Sequence, residues 1–401
     1  MESRLQPEHF TTKGSTPMIL GSLMRLVARD EKMRLHLVAG FLGSGKTTAI
    51  IGACKLLMAQ GQRVGVVTND QGKYLVDTAF VRLADIPAVE VSGGCFCCHY
   101  DDLHARLAML RDEVHPDAIF AESVGSCADV VATVIRPLLT LSDSPAQPTS
   151  FSVFADARLL HRRLLGMPMP FSDSIVYLFD RQIEEAGLLV INKIDLLTPE
   201  QAAEVEQLAQ RRFPGKRLRR QNSLAAKSIA EWVELIDQGA PVMPARDNEI
   251  DYERYGEGES RLAWLDQEVR WTVREGQGRP VVIAMIEQIT AAIRAQNWGI
   301  GHLKFLARGE QGEAKISIPT LEEAGWQERM PSLRGRRIEV LINARVEAEA
   351  HALRELIQQS LEQTAQATGA TLSESRVTFF HPDTPHPTHR ISASSATLNA
   401  S

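Results

Sequence analysis

The architecture of this chain follows from Leu35-His36-Leu37-Val38-Ala39-Gly40-Phe41-Leu42-Gly43-Ser44-Gly45-Lys46-Thr47-Thr48. An apolar β-type run leads into Gly40–Thr47, which fits G-x-x-x-x-G-K-[ST]. Beyond it, Thr47 to Gln60 carries Ile50, Ile51, Cys54, Leu57 and Met58 at helical spacing. In such a strand, loop and helix, Gly40, Gly43 and Gly45 let backbone N–H groups wrap phosphates, and the helix N-terminus adds its dipole. Ser44 and Thr48 belong to the same cradle. Lys46 is expected to reach the β- and γ-phosphates, and Thr47 to give its hydroxyl to Mg²⁺.

Outward from this loop, apolar runs recur at Val64–Val67, Val89–Val91, Ala118–Ala121, Phe151–Phe154 and Leu188–Ile191, with helical patterns between them. Near-continuous apolar strands alternating with helices predict an α/β fold, a doubly wound, mostly parallel P-loop NTPase sheet. We expect that domain over residues 34–240, after an N-terminal extension at 1–33, and a linker at 241–260 where Pro, Gly, Asp and Glu mix without period. Residues 261–390 change rhythm. Strand-like Val269–Val273, helical Val281–Ala295, strands near His302–Leu306, Ala314–Ile318 and Ile338–Ile342, a helix with Leu353, Leu356, Ile357 and Leu361 on one face, and Val377–Phe380 predict a smaller α+β domain. A Ser/Ala-rich tail covers 391–401.

The 401 residues leave room for two or three domains at roughly 150 residues each. The net charge of −6 argues against a broad nucleic-acid-binding surface. With neither a long apolar run nor a secretory signal pattern, the expectation is a cytoplasmic protein without a membrane partner. Five cysteines, three within four residues, suit metal binding better than a disulfide framework.

Four further stretches carry chemistry. Asn192-Lys193-Ile194-Asp195 follows an apolar strand and fits N-K-x-D, in which the Asp195 carboxylate accepts from guanine N1 and its exocyclic amine, a pattern adenine cannot present. Ser223-Leu224-Ala225 is the candidate for a contact to the guanine oxygen. Glu122-Ser123-Val124-Gly125 stands where such proteins keep a second magnesium carboxylate and a glycine N–H that senses the γ-phosphate. Asn69-Asp70-Gln71-Gly72 stands where a switch loop would, with Asp70 a candidate for metal or for orienting the attacking water. Lastly, Gly93-Gly94-Cys95-Phe96-Cys97-Cys98 can turn three thiols onto one soft cation, with His99, His104, Cys127, a water or a partner's group as fourth ligand. Cys54 reads as a core residue. His381, His386 and His389 read as a solvated Pro-rich terminal loop, with an accessory metal site as the alternative. The run Arg211, Arg212, Lys216, Arg217, Arg219 and Arg220 reads as a solvated sheet edge.

Taken in order, Gly40–Thr48, Gly93–Cys98, Glu122–Gly125 and Gln182-Ile183-Glu184 with Asn192–Asp195 closely resemble the CobW-like GTPases, a family similar to the urease and hydrogenase nickel-insertion G proteins. The resemblance covers about residues 34–230. It implies slow GTP hydrolysis to GDP coupled to moving Zn²⁺, Co²⁺ or Ni²⁺ into a client metalloprotein or metal-cofactor enzyme, with Cys95, Cys97 and Cys98 holding the cargo. Homo-oligomerisation is left open. Many members have Asn-Glu-Phe-Gly where this chain has Asn69–Gly72, and many lack a thiol at the position of Cys127. Two rivals compete with this reading: a non-catalytic GTP- and metal-binding sensor, and a P-loop ATPase or kinase with structural cysteines.

Overall fold

The structure, a computed structural model, describes residues 33–72, 76–141, 144–244, 249–321 and 325–392. The rest of the predicted N-terminal extension, residues 1–32, part of the predicted linker, 245–248, and most of the predicted tail, 393–401, lie outside the described residues.

The first half alternates strand and helix: β1 (Arg34–Ala39), α1 (Lys46–Ala59), β2 (Val64–Asp70), α2 (Val76–Arg82), β3 (Ala88–Ser92), α3 (Tyr100–Val114), β4 (Ala118–Glu122), α4 (Arg136–Thr140), β5 (Pro148–Asp156), α5 (Ala157–Leu164), α6 (Asp173–Glu185), β6 (Leu188–Asn192), α7 (Pro199–Arg212), β7 (Arg217–Gln221) and α8 (Ala226–Asp237). Its seven strands form one sheet in the order β3-β2-β4-β1-β5-β6-β7, and every pairing is parallel. The central strands are buried on both faces, which is why they read as unbroken apolar runs. Cys54 sits in the core between α1 and the sheet, where burial pushes its thiol up.

The expected linker contains a helix, α9 (Tyr252–Ser260). It starts where the Asp251 carboxylate accepts from Glu253 N at 3.0 Å and Arg254 N at 3.2 Å. Its acidic, glycine-containing sequence hides this helix from a search for apolar period; tertiary packing of Tyr255 and Glu259 supplies what periodicity lacks.

Beyond it run β8 (Leu262–Thr272), α10 (Gly278–Ala295), β9 (Ile300–Arg308), β10 (Glu313–Pro319), α11 (Trp326–Arg329), β11 (Arg337–Glu347), α12 (Ala350–Thr368) and β12 (Thr371–Phe380). These five strands make an antiparallel sheet, β10-β9-β11-β8-β12. A separate core of Trp271, Met285, Ile289, Phe305, Leu353 and their neighbours fills the space between it and helices α10 and α12. Among the described residues, no helix is long and apolar enough to cross a membrane.

At the edge of the first sheet, the basic run is largely paired. Lys216 Nζ donates to Ala186 O at 2.7 Å and Glu184 O at 3.1 Å, while Arg219 meets Glu231 at 2.8 Å and Arg220 meets Glu206 at 3.3 Å.

Candidate functional site

The carboxyl ends of β1, β2, β4 and β6 open into one cavity of about 440 Å³, lined by Gly43, Gly45, Lys46, Thr47 and Thr48 from the loop. Open parallel sheets place ligands at this end. Gly40 and Gly45 adopt φ of 128° and 93°, and a Cβ on Gly45 would lie 2.4 Å from Asn192 Nδ2. Within the loop, Lys46 Nζ donates to Gly40 O at 2.7 Å. Burial lowers its pKa to about 8, with Glu122 pulling the other way.

Thr47 Oγ1 lies 2.9 Å from Glu122 Oε1 and 3.1 Å from Asp77 Oδ1. Burial, reinforced by Asp77, raises Glu122 to about 7. Its Oε2 is buried with no hydrogen-bond partner among the described residues. The Thr47 hydroxyl and the Asp77 and Glu122 carboxylates, one Glu122 oxygen left without a partner, form an all-oxygen donor set that suits Mg²⁺. Asp77 stands in α2 outside any motif, so no sequence pattern singles it out. Asp70 lines the same cavity but is engaged elsewhere: it accepts from Arg345 Nη2 at 3.0 Å and from Gly72 N at 2.9 Å.

Asn192, Lys193, Asp195, Ser223 and Leu224 gather at the far end of the cavity. Asn192 is buried and ties three elements together, donating to Ser44 O at 2.7 Å and accepting from Ser223 Oγ at 2.8 Å and Ser223 N at 3.2 Å. Lys193 pairs with Asp156 at 3.1 Å, whereas Asp195 is exposed to the opening. Gly125 lies on the wall between loop and β4, where its carbonyl accepts from Gln182 Nε2 at 2.9 Å.

The second sheet closes this cavity with Trp264, His302, Lys304, Lys315 and Arg345. Arg345 is fully buried, bridging Asp70 and Asp266 (3.0 and 2.8 Å), and lies over the Trp264 ring at 3.9 Å. Behind it, Asn343 donates to Asp266 at 2.5 Å and meets His302 Nε2 at 3.0 Å. Burial holds His302 far below its usual pKa.

The cysteines converge beside the end of β3. The Sγ atoms of Cys95, Cys97 and Cys98 all lie within 4.8 Å of one another. Cys127 Sγ adds a fourth sulfur, 3.9 Å from Cys97 Sγ. Hydrogen bonds from Cys95 and Cys97 pull Cys127 down to about 6 against its burial, while hydrogen bonds with Cys127, Cys95 and Cys98, then burial, hold Cys97 well above its ordinary value. One thiolate shared among thiols is a site poised to lose further protons to a soft cation.

Two side-chain amides join the sulfur site to the cavity. Asn69, at the end of β2, donates to Gly94 O at 2.7 Å and Val91 O at 3.0 Å and accepts from Phe96 N at 2.9 Å. Gln182 donates from one nitrogen to Gly125 O and to Cys127 O, each at 2.9 Å. Neither role was selected from the sequence, although Asn69 and Gln182 both lie in stretches that carried the resemblance.

The Pro- and His-rich segment after β12, read from the sequence as a solvated loop, keeps Asp383, Thr384, His386, Thr388 and Arg390 exposed, and it is also tied to the cysteine loop. His386 N points at Cys98 Sγ at 3.3 Å, and Thr388 N and Oγ1 donate to Cys97 O and Cys98 O at 2.9 and 3.0 Å. Arg390 pairs with Asp129 at 2.8 Å, and His389 meets the Tyr100 ring edge-on at 4.9 Å. The imidazoles of His381, His386 and His389 do not join the sulfur cluster.

A glycine-rich phosphate loop on a parallel sheet of this strand order defines a P-loop nucleotide-binding protein. Residues 34–218 match the family described as CobW/HypB/UreG, nucleotide-binding domain. It is 24% identical over 268 residues to the zinc-regulated GTPase metalloprotein activator 1 of Dictyostelium discoideum, covering 59% of this chain and 55% of that one. To the zinc chaperone CobW of Sinorhizobium sp it is 29% identical over 192 residues, 42% of this chain and 53% of that one. The chain thus spans about half the length of these relatives. Among solved structures, HypB from Helicobacter pylori in complex with nickel superposes with a TM-score of 0.39 at 16% identity, covering 57% of this chain and 98% of that one.

Proposed function

We propose that this protein is a GTP-hydrolysing metallochaperone that carries Zn²⁺ on Cys95, Cys97, Cys98 and Cys127 and releases it to a client metalloprotein when its nucleotide state changes. The observation that carries this reading is Asn69. One buried amide holds the cysteine loop at both its donor and acceptor ends while its neighbour Asp70 faces the nucleotide cavity. Three or four thiolates favour a soft or borderline cation, and the matched relatives are named for zinc. Reduced thiols of this kind persist in the cytoplasm.

In this reading the backbone of residues 43–48 and the Lys46 ammonium bind the phosphates, and Asp195 reads the guanine edge. Thr47, Glu122 and Asp77 would hold Mg²⁺, which supplies positive charge to the β- and γ-phosphate oxygens. Water attacks the γ-phosphorus in line, the bond to the β-bridging oxygen breaks, and GDP and phosphate result. The loss of the γ-phosphate is felt at Gly125 and at the β2 end. From there Gln182 and Asn69 reach the Cys127 carbonyl and the cysteine loop. By linkage, any effect of GTP on zinc affinity is matched by an equal effect of zinc on GTP affinity.

The test is competitive Zn²⁺ titration of reduced protein with GDP or a non-hydrolysable GTP analogue, beside Cys95→Ser/Cys97→Ser/Cys98→Ser. Tight binding whose affinity differs between nucleotides in the wild type and vanishes in the variant is expected. Equal affinity in every nucleotide state overturns the transfer mechanism. Hydrolysis that does not rise with any zinc-accepting client favours the sensor instead.

A further inference from the structure

Lys304 lies on β9, in the second sheet, 227 residues from the carboxylate it meets. Its ammonium bonds both oxygens of Asp77, at 2.7 and 2.6 Å, and only 12% of its side chain is exposed. Asp77 in turn lies 3.1 Å from the Thr47 hydroxyl. In P-loop proteins that hydroxyl marks the place where the metal ion bridges the β- and γ-phosphates. Lys304 is therefore set at the γ-phosphate end of the cavity, opposite the loop, on an element that is not part of the nucleotide-binding domain. Lys46, the loop's own cation, faces Gly40 O and Phe41 O on the other side.

Charge count favours an anionic ligand there. A nucleoside triphosphate brings about four negative charges and a diphosphate about three. The cavity wall carries Asp77 and Glu122 as well, so Lys46 and a bound Mg²⁺ together still leave negative charge uncompensated at the last phosphate. The second sheet adds the ammonium groups of Lys304 and Lys315, the latter held 3.7 Å from the Phe80 ring.

We propose that Lys304 is the γ-phosphate contact supplied by the second domain, a residue that distinguishes nucleoside triphosphate from diphosphate. With the triphosphate bound, the Lys304 ammonium exchanges one anionic partner, the Asp77 carboxylate, for another, a γ-phosphate oxygen. After hydrolysis the partner is lost and Lys304 returns to Asp77. Because β9 pairs with β10 and β11, this exchange couples nucleotide state to the whole second sheet. The proposal rests on the reading of residues 40–48 as a nucleotide site.

The experiment measures the affinities of the full chain for fluorescent GDP and for a fluorescent non-hydrolysable GTP analogue, in wild type, Lys304→Met and Lys304→Arg. A wild-type preference for the triphosphate of tenfold or more should fall to near one in Lys304→Met, with GDP affinity within threefold of wild type, and survive in large part in Lys304→Arg. An unchanged ratio in Lys304→Met, or an equal loss for both nucleotides, overturns the proposal, since Lys304 then serves only to neutralise Asp77. Failure of the wild type to bind either nucleotide instead overturns the nucleotide-site reading itself. Magnetic resonance of wild type with 15Nζ-labelled lysine needs no variant: the Lys304 signal should shift between the GDP and GTP-analogue states as its anionic partner changes, and an identical signal in both states counts against the proposal.

Discussion

Asn69 is the residue on which the proposed coupling turns. Its side chain satisfies the carbonyls of Val91 and Gly94 and the buried N–H of Phe96, at the end of β3 and in the cysteine loop, so removing it leaves three groups short of partners. Asn69→Ala is expected to weaken Zn²⁺ binding about tenfold and to bring the ratio of zinc affinities in the two nucleotide states close to one. Coupling between sites is typically worth about 1–3 kcal/mol, which a paired zinc titration resolves. A variant that binds zinc more weakly yet keeps the wild-type ratio would show that the coupling runs elsewhere, through Gln182 for instance.

Helix α9 makes its prediction through Glu259, which is 1% exposed and accepts from Ser126 Oγ at 2.6 Å. Burial raises its pKa from 4.5 to about 7, with Ser126 opposing and the nearby Cys98 adding to the rise. The folded protein therefore holds the proton more tightly than the unfolded chain does. The resulting stability is complete below pH 4.5 and is lost as pH rises through about 7. A shift of about 2.5 units corresponds to on the order of 3 kcal/mol. Glu259→Gln keeps a partner for Ser126 and has no proton to lose, so its stability relative to wild type should climb by about that amount between pH 5 and pH 8. Denaturant unfolding of both proteins across this range measures the difference; a constant offset would place the Glu259 carboxylate near its ordinary range.

At the scale of the whole molecule, Arg345 fastens the second sheet to the end of β2. It is buried between Asp70 and Asp266 and backed by Trp264. Arg345→Met removes the cation and leaves two carboxylates facing an apolar side chain, which costs about 3–5 kcal/mol when a buried pair is broken from one side. Urea unfolding at pH 7 should show a loss of that order, and nucleotide affinity should fall with it because Asp70 lines the cavity. Full stability in this variant would mean that the sheets are held together elsewhere.

Contacts local in the chain are legible in the sequence, and contacts between distant segments are not. The phosphate loop, the Asn192–Asp195 loop and the cysteine triplet could be read from the chain because each is a short run whose neighbours in sequence are its neighbours in space. The strands of the parallel sheet could be read because burial on both faces demands unbroken apolar runs. Asp77 with Lys304, Asp70 with Arg345, and the backbone of residues 386–391 over the cysteines could not. Each joins segments far apart in the chain, and the contacts use side chains or backbone groups found equally on any surface. The P-loop α/β domain and its thiol cluster follow from the order of residues alone, since local geometry and apolar period are written in adjacent residues. Which distant cation meets which carboxylate is settled by the folded molecule, because that depends on how two separately built sheets pack against each other.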